Sequence, residues 1–157
     1  VDLAEAELMR RDLLPFRTVV KAGAEALMTA HVLYPQLDRL FPATVSETVL
    51  RELLREGLGY EGVIVSDGLS MGALAQRFSV SDSLFLMFRA GLDLVLVHSR
   101  YDLSDLKAEV LRLLRQGHLD EEQIREGAER VLRLKLRYGL LPRPSRKPRT
   151  SARKASP

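Results

Sequence analysis

Cysteine is absent from the chain, which excludes disulfides, thiolate metal ligands and a thiol nucleophile. With no disulfide to accommodate, a cytoplasmic location is expected. Tryptophan is also absent and aromatic residues make up only 6%, too few for a platform that stacks single-stranded nucleic acid. No apolar run approaches the ~18 residues that cross a bilayer, so no membrane partner is expected. The opening Val1-Asp2-Leu3-Ala4-Glu5 places an acid where a secretory leader needs a basic region. A start at Val1 rather than Met suggests that something upstream is missing.

What is present is a globular composition, 46% hydrophobic and 29% charged over 157 residues. That length suits one domain and is too short for an ordinary closed (β/α)8 barrel, which takes ~250 residues. The net charge of +3 and a pI near 9.4 invite a nucleic-acid reading until the charge is located. Residues 142–157 hold Arg143, Arg146, Lys147, Arg149, Arg153 and Lys154 and no acid. With those six set aside, residues 1–141 carry −3. The basic segment has Pro, Ser and Thr but no large apolar residue, so it reads as a disordered tail. Nucleic acid is not expected as a partner, and the tail is read as a solubilising extension rather than an electrostatic arm.

Three short apolar runs punctuate residues 1–141: Ala26–Val32 after Gly23, Gly62–Asp67 after Gly59, and Asp93–His98 after Gly91. Continuous apolarity over five or six residues is what a parallel strand covered on both faces requires. Amphipathic stretches lie between them. Pro15 suits the first turn of a helix ending before Gly23. Ser46 is placed to cap a helix whose apolar positions Val49, Leu50, Leu53, Leu54 and Leu58 recur at three and four. Ser81 is placed to cap a helix ending before Gly91, and Asp102 or Ser104 to open one through Leu114. Asp120 with Gln123 reads as a capping box for a basic helix through Arg137. The order α-β-α-β-α-β-α-α predicts an α/β fold with parallel strands and right-handed crossovers.

In such a sheet, chemistry gathers at the carboxyl ends of the strands, which selects residues 29–34, 66–71 and 98–101. Asp67 is the most informative residue there. It ends an apolar strand and is followed by Gly68, so its carboxylate is expected at the mouth, as nucleophile, general base or metal ligand. The alternative is an N-cap for a helix over Leu69–Ala75. Pattern alone leaves the two open.

A resemblance bears on the choice. The stretches Ala22–Val32 (AGAEALMTAHV), Pro42–Ser46 (PATVS), Leu53–Met71 (LLREGLGYEGVIVSDGLSM) and Ala90–Val97 (AGLDLVLV) closely resemble glycoside hydrolase family 3, and Arg130–Leu140 resembles the end of its catalytic domain. The similar branch is the β-N-acetylhexosaminidases that trim N-acetylglucosamine from cell-wall fragments. The resemblance implies a partial (β/α)8 barrel, with residues 1–141 as the C-terminal portion of the catalytic domain and the three runs as strands six to eight. It puts Asp67 on the nucleophile of a retaining mechanism, Met71 near the sugar subsite, and His31 at the mouth of the sixth strand. For His31, substrate contact and a hydrogen-bonded packing role both stand. His98 and His118 are weaker candidates, His118 facing solvent. The resemblance implies a carbohydrate substrate containing N-acetylglucosamine, no cofactor and no metal.

The sequence also departs from that pattern. The branch carries a Lys-His-Phe-Pro-Gly-His-Gly stretch and an Asp-His pair that supply sugar contacts and the acid/base, and neither occurs here. Gly68 stands where the branch often has a second Asp. Three strands cut from a barrel expose unpaired edges and an apolar inner face, so a complementing chain carrying the first five strands is a candidate partner. The rival readings are an inactive remnant or interaction protein lacking the acid/base half, and a phosphotransfer enzyme using Asp67. The latter wants further carboxylates beside Asp67 for Mg²⁺, which Gly68, Leu69 and Ser70 do not supply.

Overall fold

The computed structural model describes residues 7–141; the expected tail, 142–157, lies outside the described residues. After a short wide turn at Leu8–Asp12, the labelled elements are α1 (Leu14–Lys21), β1 (Ala26–Met28), α2 (Thr48–Gly57), β2 (Val63–Val65), α3 (Gly72–Ala75), α4 (Val80–Ala90), α5 (Leu103–Arg115) and α6 (Glu121–Arg137). A single 3₁₀ turn, Ala43–Val45, precedes α2.

The sheet is parallel, as the apolar runs predict, with Ala26, Leu27 and Met28 in register with Val63, Ile64 and Val65. The backbone bonds Val63 N–H to Glu25 O (2.9 Å) and Thr29 N–H to Val65 O (2.8 Å) continue this pairing at each end. The expected third strand is a correction. Residues 93–98 run alongside β2 but form only an isolated bridge, Val65 with Leu94. Side chains take over the ladder on both sides of that bridge. Asp93 Oδ2 accepts the Ile64 N–H (2.8 Å), and Ser66 Oγ accepts the Leu96 N–H (2.9 Å). A run can therefore be apolar and parallel without completing a backbone ladder.

Double-sided burial holds for β2 and fails for β1. Val63 and Ile64 are fully enclosed, whereas Met28 is 58% exposed, because no described element covers that side of β1. The core gathers Val45, Leu50, Tyr60, Ile64, Leu69, Leu74, Met87, Ala90 and Leu92. An apolar groove lined by Leu13, Phe16, Leu27, Met28, Leu53 and Leu58 runs between β1, α1 and α2.

Helix starts agree with the sequence in kind more than in residue. Pro15 sits in the first turn of α1. Ser46 does act as a cap, its Oγ accepting from Val49 N–H (3.3 Å), although α2 is wound as a π-helix, ending with Leu58 N–H on Leu53 O. Asp102 caps α5 through Ser104 N–H (2.7 Å). For α4 the cap is Ser79, which accepts from Asp82 N–H at 3.0 Å. Ser81 points instead at Glu109. Asp120 caps α6, but Gln123 does not close the capping box. Its amide reaches the carbonyls of Phe88 (2.6 Å) and Arg89 (3.3 Å) at the end of α4. The expected Leu69–Ala75 helix shortens to Gly72–Ala75 behind a tight turn, with Met71 N–H on Gly68 O.

A buried ionic hub joins the far end of the sheet to the helices. Arg55 donates to Asp93 Oδ2 (2.5 Å) and Arg130 to Asp93 Oδ1 (2.9 Å). The Asp93 side chain is 1% exposed. Arg55 also donates to the carbonyls of Tyr60 and Gly62. Burial pushes the neighbouring Tyr60 phenol up to about 12, helped by Asp93 and opposed by Arg55.

Candidate functional site

The carboxyl ends of β1 and β2 meet in one polar knot. Val63–Val65 is a β-branched run, and strand geometry ends at Ser66, whose own side chain is spent on Leu96 N–H. Asp67 follows at the mouth. It is half-buried and caps no helix, since α3 begins behind Met71. Its described hydrogen bond is from the adjacent Gly68 N–H to Oδ1, 2.7 Å. The N-cap alternative therefore has no counterpart in the structure, and the carboxylate keeps acceptor capacity to spare.

His31 and Met71 converge on the same turn through Gly68. The Gly68 carbonyl accepts from His31 Nε2 (3.0 Å) and from Met71 N–H (3.0 Å), so both of its lone pairs are used. Met71 is 45% exposed, and its Cγ and Sδ lie over the α-carbon of Gly68, where a Cβ would stand 3.5 and 3.8 Å from them. His31 is 9% exposed. Its Nδ1 is 2.9 Å from Thr44 Oγ1, which is itself 2.9 Å from Thr29 Oγ1.

The loop after residue 97 closes one side of this turn. Arg100 donates to Ser70 O (3.0 Å) and lies over the Tyr101 ring. His98 is exposed and turned back on its own loop, its Nδ1 accepting from Arg100 N–H at 3.3 Å. His118 is exposed and lies edge-on to Phe85. The structure thus brings Asp67, His31 and Met71 together and leaves His98 and His118 out. Among the described residues no group of three or more His, Asp or Glu side chains is arranged to hold a metal ion.

Residues 1–134 match the glycosyl hydrolase family 3 N terminal domain. The chain belongs to glycoside hydrolase family 3. Beta-hexosaminidase A of Pseudoalteromonas piscicida is 32% identical over 154 residues, covering 86% of this chain and 26% of that protein. A beta-hexosaminidase of Neisseria meningitidis serogroup C is 42% identical over 108 residues, covering 69% of this chain and 30% of that one. The solved family 3 beta-N-acetylglucosaminidase from Paenibacillus sp. superimposes with a TM-score of 0.82 at 32% identity, over 99% of this chain and 30% of that structure. The beta-N-acetylglucosaminidase from Thermotoga maritima gives 0.80 at 32% identity, over 85% and 30%. In these neighbours the family 3 N-terminal domain is of the TIM-barrel type. The family 3 chain described here spans less than a third of each of these four proteins.

Thr29 and Ser66 lie in the strand-end stretches that the sequence selects, without a role of their own there, and Thr44 is the residue it passes over. Thr44 is wholly buried and lies inside the Pro42–Ser46 stretch that carries part of the resemblance. A buried threonine among apolar neighbours was the available signal, since a buried hydroxyl wants a partner.

Proposed function

We propose that this chain is the nucleophile-bearing portion of a retaining family 3 glycoside hydrolase acting on terminal β-linked N-acetylglucosamine. Residues 1–141 are then the C-terminal portion of the catalytic domain, and segments 26–32, 62–67 and 93–98 take the places of strands six, seven and eight of a (β/α)8 barrel. The single observation that carries the reading is Asp67, a half-buried carboxylate at the end of β2 that caps no helix and is held by the Gly68 amide. The exposed sides of Met28, Leu94 and Leu96 are what a barrel interior would cover. A cytoplasmic role in recycling cell-wall fragments goes with this reading.

In the reaction, an Asp67 carboxylate oxygen attacks the anomeric carbon as the bond to the leaving oxygen breaks. That oxygen takes a proton from an acid on the complementing part of the barrel. Water then attacks the glycosyl ester, giving a proton back to that same acid on the complementing part and freeing the sugar and the Asp67 carboxylate. Met71, beside Gly68, lines the sugar subsite. No cofactor enters these steps.

General acid/base assistance is worth ~10²–10⁴ in rate, and this chain lacks the family's donor motifs. The 157 residues alone are therefore expected to hydrolyse an aryl N-acetylglucosaminide negligibly, with activity returning when the first five strands are supplied in cis or in trans. In the completed barrel a slow-turnover fluorosugar should leave an adduct on the Asp67 peptide, read by mass spectrometry. Asp67→Asn should abolish it, since a neutral amide is a poor nucleophile. An adduct that persists in Asp67→Asn, or strong turnover by the 157 residues alone, overturns the proposal.

A further inference from the structure

We infer that His31 is a positioning residue for Asp67, holding the Asp67–Gly68 turn through a one-way hydrogen-bond relay that begins at Thr29. This rests on the reading of Asp67 as the nucleophile. The direction of the relay follows from donor and acceptor chemistry. A carbonyl only accepts, so the 3.0 Å contact between His31 Nε2 and Gly68 O places the ring proton on Nε2. Nδ1 of the neutral ring then accepts, and its partner at 2.9 Å is the Thr44 hydroxyl. Thr44 has one proton and gives it to His31. Its oxygen therefore accepts from Thr29, 2.9 Å away. Each link has a single consistent orientation, running Thr29 to Thr44 to His31 to the Gly68 carbonyl.

What the relay holds is the Gly68–Leu69 peptide, the one after the peptide that meets the reacting carboxylate. Gly68 N–H binds Asp67 Oδ1 and Gly68 O is held by His31 and Met71. A glycine at this position has no Cβ to restrict the peptide on its own, and the next-door Ser70–Arg100 contact is exposed. His31 and Thr44 are both buried, which shields the relay from competing water. With both ring nitrogens engaged inside the chain, His31 acts on the substrate only through the turn it holds.

Two substitutions separate positioning from general packing. His31→Gln keeps an amide N–H near the place of Nε2, whereas His31→Asn keeps polarity only on the Thr44 side. In the 157-residue chain, hydrogen exchange at Gly68 should remain slow with Gln and accelerate about tenfold or more with Asn, while α6 amides such as Leu132 exchange alike in both. Equal Gly68 exchange in the two variants overturns the inference. Should Asn prevent folding, Thr44→Val leaves the imidazole in place. Nε2 should stay protonated on the Gly68 carbonyl while the Nδ1 shift moves to that of an acceptor nitrogen with no donor, and an Nδ1 shift unchanged from the native chain overturns the relay. In the completed barrel His31→Asn should lower kcat about tenfold with KM within about twofold, a misplacement effect, and Gln should restore most of it. Unchanged kcat in His31→Asn, with Asp67→Asn abolishing the adduct, defeats the positioning role alone. A surviving adduct in Asp67→Asn defeats the nucleophile reading itself.

Discussion

Asp93 shows how much one side chain organises in this chain. Its carboxylate accepts from Arg55, Arg130 and the Ile64 amide while nearly wholly enclosed. Removing it leaves two guanidinium groups facing a polar void and one strand amide without its acceptor. Breaking a buried ionic group in this way costs ~3–5 kcal/mol, so Asp93→Ala should lose about 3 kcal/mol or more in urea denaturation. Asp38 makes a smaller, pH-dependent contribution. Burial opposes its charge, but the Ser46 hydroxyl (2.7 Å) and the Phe41 and Leu40 amides hold its carboxyl below the usual range. A carboxyl depressed in the folded state stabilises above its unfolded pKa and loses that contribution as pH falls through the folded one. The stability gap between the native chain and Asp38→Asn should thus narrow between pH 6 and pH 3. A gap that stays constant or widens would remove Asp38 from the account.

Among elements, the most legible were those closed by local chemistry. Gly91 ends α4 with φ at 101°, and the Leu92 N–H returns to Met87 O, as a glycine after an apolar helix leads one to expect. A Cβ there meets nothing closer than Gln123 at 3.9 Å, so Gly91→Ala tests backbone strain without crowding. It should cost about 1–2 kcal/mol, read as a drop in Tm. The strands Ala26–Met28 and Val63–Val65 were visible as apolar runs, and Asp67, His31 and Met71 fell at the strand ends where they are found. Three of the misreadings share one cause. Ser79 rather than Ser81 caps α4, Gln123 serves the end of α4 rather than its own helix, and Ser66 and Asp93 replace the ladder of a third strand. In each case a polar side chain chose a partner distant in sequence, or one of two equally placed neighbours, and neither hydrophobic period nor local spacing encodes that choice.

For the molecule as a whole, the open side of β1 governs behaviour in solution. Among the described residues β1 has one edge unpaired, and with the apolar groove beside it and an exposed Met28 it invites pairing with another chain. The 157 residues alone are expected to self-associate as concentration rises, and the first five barrel strands should suppress this; sedimentation velocity on each preparation decides it. Concentration-independent monomers would mean that the edge is protected. The hub at Asp93 has a consequence of another kind, in the order of events at the ribosome. Arg130 lies 37 residues beyond Asp93, roughly 2–7 s of synthesis at ~5–20 residues per second. During that interval Arg55 is the one of its two arginine partners already made, and β2 is clasped on one side. The nascent chain must emerge well into α6 before the sheet is fastened, so the second clasp on β2 closes only after α4 and α5 have been made.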